Sequence, residues 1–245
     1  MTGPTVEVGQ STTTGQAGAG VACVWLAAGS GSRMENPVNK VFLPLAGRAV
    51  VTRSIEATLG LPDVIERILV GTERDLAAAE ALLSRDLPFP IRYVTGGSSR
   101  HESEWNALQR LAPQIEAGRI GIVLIHDAAR PLAEPQLFTD VIEAARAHGG
   151  ALPVRPAPPL ISLDSAVVAA AHEVVAVQTP QAFQARPLLD AHRRAARVGF
   201  VGTDTASCLE RFSDLQVRCV PGHDANIKIT YAEDLALAER LFGCP

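Results

Sequence analysis

Val21-Ala22-Cys23-Val24-Trp25-Leu26-Ala27-Ala28-Gly29-Ser30-Gly31-Ser32-Arg33-Met34 is the stretch on which the fold turns. Residues 21–26 are uninterruptedly apolar, the mark of a strand covered on both faces. Small residues follow at once. Ala27, Ala28, Gly29 and Gly31 let the backbone approach a ligand, and successive N–H groups there can form an anion-binding nest. Two familiar phosphate motifs fail: the dinucleotide fingerprint needs glycine where Met34 stands, and no Gly-Lys-Ser/Thr closes the loop. What remains is a glycine loop with its own Arg33, followed by Lys40. Two fixed cations beside an amide nest suit a polyphosphate under attack, because charge accumulates on the phosphoryl group. An ordinary tight turn with exposed basic residues is the alternative.

Working outward, the chain alternates. Strands are predicted over 21–26, 64–71, 91–95, 120–126, 151–154, 174–178 and 216–220, and helices over 49–59, 75–85, 99–111, 135–148, 186–197, 205–211 and 231–242. The last helix opens on Thr230-x-x-Glu233, a capping-box pattern. Alternation of this kind predicts an α/β fold with a doubly wound, mostly parallel sheet, whose ligands bind beyond the carboxyl ends of strands at a switch in strand order. Residues 1–20, rich in Gly, Thr, Ser and Gln, read as a flexible tail. Residues 21–245 then form the domain. Pro156, Pro158 and Pro159 break the alternation, since proline cannot continue a central strand. They open an excursion over about 154–176.

Composition narrows the class. At 245 residues and 47% apolar content, the chain can bury a core without disulfides or structural metal. A net charge of −4 argues against a nucleic-acid binder with a broad basic face. No apolar run approaches the ~20 residues of a membrane span, and the start carries no secretory pattern. Cys23, Cys208, Cys219 and Cys244 form no C-x-x-C pair, as expected of a reduced, cytoplasmic protein. Of 22 basic residues only Lys40 and Lys228 are lysine. In a chain that uses arginine almost everywhere, a surviving lysine marks a place where a compact ammonium is needed.

Further blocks follow in order: Leu43-Pro44-Leu45, then Gly96-Gly97-Ser98-Ser99-Arg100-His101-Glu102-Ser103, His126-Asp127-Ala128-Ala129-Arg130-Pro131, Thr179-Pro180-Gln181-Ala182-Phe183, Thr203-Asp204-Thr205-Ala206-Ser207 and Asn226-Ile227-Lys228-Ile229-Thr230. Together with the glycine loop and Lys40 they resemble the 2-C-methyl-D-erythritol 4-phosphate cytidylyltransferase family, over about residues 21–242. Both lysines fall within the blocks.

The resemblance implies a Rossmann-like nucleotidyltransferase fold with a protruding arm that pairs subunits into a homodimer. It implies a reaction of CTP with a polyol phosphate, giving a CDP-polyol and pyrophosphate, in isoprenoid-precursor synthesis. Neither nucleic acid nor membrane takes part. Ala27, Ala28, Gly29 and Gly31 would hold the nucleotide, while Gly97, Ser98 and Ser103 would meet the base. Arg33, Lys40 and Lys228 would be catalytic. Asp224, Thr203 and Thr179 would face the acceptor. Asp127, at the carboxyl end of a strand, suits Mg²⁺ on triphosphate oxygens, or else pairs with Arg130. His126 reads as a satisfied core residue. As plain structure, Thr179-Pro180-Gln181 is a turn and Thr203 a helix cap.

The chain departs from the family at Glu104, where valine is usual, and at Ala107, where glycine is common. The arm lacks the family's D-T-x-K and V-D-R; Arg155 is the cation on hand there. Another acceptor such as ribitol 5-phosphate, and a homologue that binds nucleotide without turnover, stay open.

Overall fold

The computed structural model describes residues 19–29, 38–157, 174–202 and 204–243. Gly31, Arg33, Thr203, the tail up to residue 18 and the arm over 158–173 lie outside the described residues. In chain order the elements are β1 (Gly20–Leu26), a 3-10 turn (Lys40–Phe42), the hairpin β2 (Pro44–Leu45) and β3 (Arg48–Ala49), α1 (Val50–Glu56), β4 (Val64–Gly71), α2 (Glu73–Asp86), β5 (Arg92–Thr95), α3 (Arg100–Glu116), β6 (Ile120–Asp127), α4 (Pro135–His148), β7 (Gly149–Pro156), β8 (Val175–Val177), β9 (Gln181–Gln184), α5 (Ala185–Arg197), α6 (Thr205–Phe212), β10 (Gln216–Pro221) and α7 (Ala232–Gly243).

The main sheet runs β10-β7-β9-β6-β1-β4-β5, with β8 on the flank of β7. β1 lies parallel between β4 and β6. From β1 the chain steps outward to β4 and β5, then crosses back to β6 on the other side. That reversal opens a crevice where β1 and β6 end together, Leu26 opposite Asp127. Val21, Cys23 and Trp25 pack with Ile55, Leu83 and Phe138 of α1, α2 and α4. Ala22 and Val24 pack with Leu108, Leu111 and Leu188 of α3 and α5 on the opposite face. Helices cover both faces, which is why residues 21–26 need no polar alternation. Burial of Cys23 pushes its thiol up to about 12, so it acts as a small apolar residue.

Several elements differ from the sequence expectation. β9 follows Thr179-Pro180 directly and lies antiparallel between β6 and β7, Phe183 opposite both Val123 and Gly150. A glutamine at each end hides so short a strand from any apolar pattern. α3 continues past Leu111 through Pro113 to Glu116; Leu108, Leu111 and Ile115 share its buried face, and that burial outweighs the proline. α7 is capped by Asp234 rather than Glu233: Asp234 Oδ2 accepts from the N–H groups of Thr230 and Tyr231 at 2.8 Å each. The cap of α6 is Asp204, which accepts from Ser207 N–H at 2.8 Å.

The excursion begins as a ribbon. Val154, Arg155 and Pro156 pair with Val177, Ala176 and Val175, so Pro156 ends a strand at the sheet's flank, where proline is tolerated.

Phe183 is fully buried and ties β9 into the sheet. Phe183→Ala should lower the unfolding free energy in urea by about 3–5 kcal/mol.

Candidate active site

A cleft of about 410 Å³ opens at the carboxyl ends of β1, β5 and β6, a size suited to a small ligand. Ala27, Ala28, Gly29, Lys40, Gly97, Ser98, Ser103, Asp127 and Lys228 all line it. Both lysines of the chain meet here. With Arg100 they set three cations against one carboxylate among the described lining residues, a balance that favours an anion. Gly96 allows the walls to close, since a Cβ there would come within 2.4 Å of the Ala28 Cβ.

Asp127 sits at the cleft floor and is 5% exposed. Arg100 Nη1 contacts its Oδ1, and Lys228 Nζ lies 2.8 Å from Oδ2. Burial works to raise its pKa, but Arg100 and Lys228 outweigh burial and hold the carboxyl far below the usual range. Arg130, the alternative partner that the sequence offered, also pairs with Asp127 but stands farther off at 3.7 Å, and its Nη1 donates to the Asn226 carbonyl at 2.7 Å.

The supporting layer is built from side chains spent on the backbone. Asp127 N–H donates to Thr179 Oγ1 at 3.0 Å, so that hydroxyl donates onward to His126 Nδ1 at 2.9 Å. His126 Nε2 donates in turn to the Arg130 carbonyl at 3.2 Å. This chain fixes a neutral ring, and burial pushes His126 down to about 3. Thr179 therefore steadies Asp127 from beneath the cleft rather than lining it. Asn226 Nδ2 donates to the Thr179 carbonyl at 2.9 Å, and Ile229 N–H donates to the Ala129 carbonyl at 2.9 Å. These bonds hang the segment carrying Lys228 beside β6.

At the mouth of α3, Gly97 N–H donates to Ser103 Oγ at 3.1 Å, which donates to the Ser99 carbonyl at 2.9 Å. Ser99 caps Glu102 N–H at 3.0 Å. The Glu102 carboxylate reaches back one residue further than a capping box requires, accepting from Ser98 N–H and Ser98 Oγ at 2.7 Å each. Gly97 must lack a Cβ, which would collide with the Glu102 side chain. Asp224 pairs with Arg155, and neither lines the cleft.

Asn39 and Arg100 are among the lining residues that the sequence reading did not place in the site. Asn39 is buried, donating to the Ala27 carbonyl and to Asp75 Oδ2 at 3.0 Å each while accepting from Val41 N–H at 3.3 Å. It pins the turn that presents Lys40 to the end of β1; its place directly before Lys40 was the available signal. Arg100 was visible as the arginine of the G-G-x-x-R block, but nothing in the sequence links it to Asp127.

Asp127 is the sole carboxylate lining the cleft among the described residues, and both its oxygens face cations. That donor set is too small to hold Mg²⁺ alone. It fits an ion that arrives on a triphosphate, keeps phosphate and water oxygens and adds one carboxylate.

Residues 21–243 match the family described as 2-C-methyl-D-erythritol 4-phosphate cytidylyltransferase. The chain is 40% identical over 220 residues to the protein of that name from Symbiobacterium thermophilum, covering 88% of this chain and 89% of the relative. It is 36% identical over 224 residues to its namesake from Aquifex aeolicus, with coverages of 89% and 96%. Among solved structures, 4-diphosphocytidyl-2C-methyl-D-erythritol synthase from Anaerococcus prevotii superposes with a TM-score of 0.80 at 29% identity, covering 93% of this chain and 97% of that one.

Because the folded pKa of Asp127 lies below its unfolded value of about 3.9, its stabilisation is complete above about pH 5 and is lost as pH falls through the acid range. Urea unfolding across about pH 5 to 2.5 should show a shallower loss of stability in Asp127→Asn than in the wild type. Equal slopes would place the acid-sensitive group elsewhere.

Proposed function

This chain belongs to the 2-C-methyl-D-erythritol 4-phosphate cytidylyltransferase family, and we propose that it carries out the reaction of that name. It joins CTP to 2-C-methyl-D-erythritol 4-phosphate, giving the CDP-polyol and pyrophosphate for isoprenoid-precursor synthesis. The supporting observation is the meeting of Lys40, Arg100, Lys228 and Asp127 around the glycine loop at the end of β1.

An oxygen of the acceptor phosphate attacks the α-phosphorus of CTP. The new P–O bond forms as the bond to the bridging oxygen of the β-phosphate breaks, and that electron pair leaves on pyrophosphate. The attacking oxygen is already anionic, so no general base is needed. Catalysis then rests on positioning and on charge placed in advance. Lys40 and Arg33 hold the α-phosphate, and Lys228 serves where donor and acceptor meet. Asp127 would be the protein's ligand to a Mg²⁺ ion brought by CTP, which supplies charge neutralisation on the triphosphate. Gly97, Ser98 and Ser103 form the corner that receives the base. Asp224 and Thr203 face the acceptor, with Arg155 beside Asp224 as the local cation.

The setting is cytoplasmic. Cys23, Cys208 and Cys219 are free thiols, and no described helix is long and apolar enough to cross a membrane. The assembly is a homodimer through the arm. Support comes from the β7–β8 ribbon, where Val175 and Val177 are 44% and 39% exposed and need cover.

Pyrophosphate release from CTP should be fastest with 2-C-methyl-D-erythritol 4-phosphate in a panel that includes ribitol 5-phosphate, and should stop when Mg²⁺ is chelated. Lys40→Ala and Arg33→Ala should each lower turnover by roughly 10²–10³. Turnover with ribitol 5-phosphate alone would reassign the acceptor, and binding of CTP without turnover under any condition would leave a nucleotide-binding homologue. Sedimentation equilibrium should give twice the 25.9 kDa chain mass; a clean monomer would refute the dimer.

A further inference from the structure

Behind the cleft, α3 buries a carboxylate. The Glu104 side chain is 0% exposed, and an ionised group so placed is costly unless it is paired. Its Oε1 accepts from the Thr205 hydroxyl at 2.8 Å and lies 2.9 Å from Arg100 Nε, an ion-pair distance although the N–H does not point along it. Its Oε2 lies 3.6 Å from His192 Nε2. His192 Nδ1 must carry a proton, because it faces the Leu188 carbonyl at 3.1 Å. Its Nε2 faces the carboxylate at 3.6 Å, with neither atom hydrogen-bonded. Burial disfavours a charge on the ring, but contacts with Cys208 and Glu104 outweigh it and raise the His192 pKa. None of Glu104, Thr205 or His192 lines the cleft, whereas Arg100 does.

The Arg100 guanidinium thus spans two fixed carboxylates. Nε meets Glu104 and Nη1 meets Asp127, whose other oxygen meets Lys228. The planar fork of arginine suits such a bridge, and a lysine could reach only one end. A buried pair of this kind is poor evidence for stability, since apolar replacements often serve as well. What it does deliver is direction. On the cytidylyltransferase reading, we infer that Glu104 is a positioning residue: from outside the cleft it sets the guanidinium of Arg100, and through it the Asp127–Lys228 pair that receives the triphosphate.

The neighbouring side chains do not make a metal site instead. His101, His192 and Cys208 offer ligand atoms within 4.8 Å of one another. The two rings, however, stack with planes 10° apart and centroids 4.8 Å apart. Their nitrogen lone pairs lie in nearly parallel planes and cannot converge on one ion.

The test is steady-state kinetics with CTP, Mg²⁺ and 2-C-methyl-D-erythritol 4-phosphate. Glu104→Gln should lower kcat/KM for CTP by roughly 10–100-fold, the usual cost of losing a group that orients a site residue. The acceptor KM should move less than this, because of the groups affected only Lys228 also meets the acceptor. In an Arg100→Lys background the same change should cost less than about twofold, because residues acting through one another are not additive. If Glu104→Gln fails to fold, the pair Glu104→Val with His192→Leu leaves no charge buried alone; it should fold and show the same loss. A folded variant within about twofold of wild-type kcat/KM, or losses that multiply with Arg100→Lys, would overturn the inference. Wild-type turnover with unimpaired variants overturns this inference alone. No turnover by the wild type overturns the activity and the inference together.

Discussion

At the end of β6, Asp127 holds Arg100 through one oxygen and Lys228 through the other. The rest of the cleft is arranged so that this can happen. The carboxylate is buried, so its partners must be supplied by the fold, and each comes from a different element. Arg100 stands at the start of α3, and Lys228 on the segment before α7. β1 and β6 are forced to end side by side by the reversal of strand order. Beneath Asp127 a neutral histidine and a threonine hydroxyl satisfy the backbone around it. Charges in such a place act more strongly than they would in water, and they are set before any ligand arrives.

How much of this could be read in advance depended on distance along the chain. The glycine loop, the strand before it and the crevice beyond it follow from residues 21–34, because periodicity and residue size are local properties. Scarcity of lysine pointed to Lys40 and Lys228, and both reached the cleft. β9 could not be read, because its place is decided by what lies on either side of it. Gln181 and Gln184 look like loop residues until β6 and β7 enclose them. Arg100 and Glu104 were visible as neighbours one helical turn apart, yet the partner that gives the arginine its meaning, Asp127, lies on another strand. The alternative pairing of Asp127 with Arg130 was legible from sequence proximity, and it is present at 3.7 Å while Arg130 Nη1 also holds the Asn226 carbonyl.

At two helix starts a carboxylate bonds one residue away from where a plain capping box would put it. Glu102 reaches Ser98, and Asp234, rather than Glu233, captures the N–H groups of Thr230 and Tyr231. In both cases a carboxylate near a helix N-terminus is stabilised by unpaired N–H groups and the helix dipole. Sequence spacing says that such a residue will be present. Which one is used depends on the path of the incoming chain.

The ribbon of β7 and β8 has a consequence for how such a protein can diversify. Its two strands are pinned to each other at Val154, Arg155 and Pro156, and Gln178 is tied to the Pro153 carbonyl and to His223 behind them. Whatever lies between the strands begins and ends at one clamp. Lengthening that stretch changes the closure entropy only logarithmically, by about 0.6 kcal/mol for a doubling. Insertions, deletions and wholesale exchange of sequence are therefore cheap there and leave the sheet and the cations of the cleft undisturbed. Heredity can rewrite the arm while conserving the engine, so a lineage can lose a motif on one side of the clamp without losing the fold on the other.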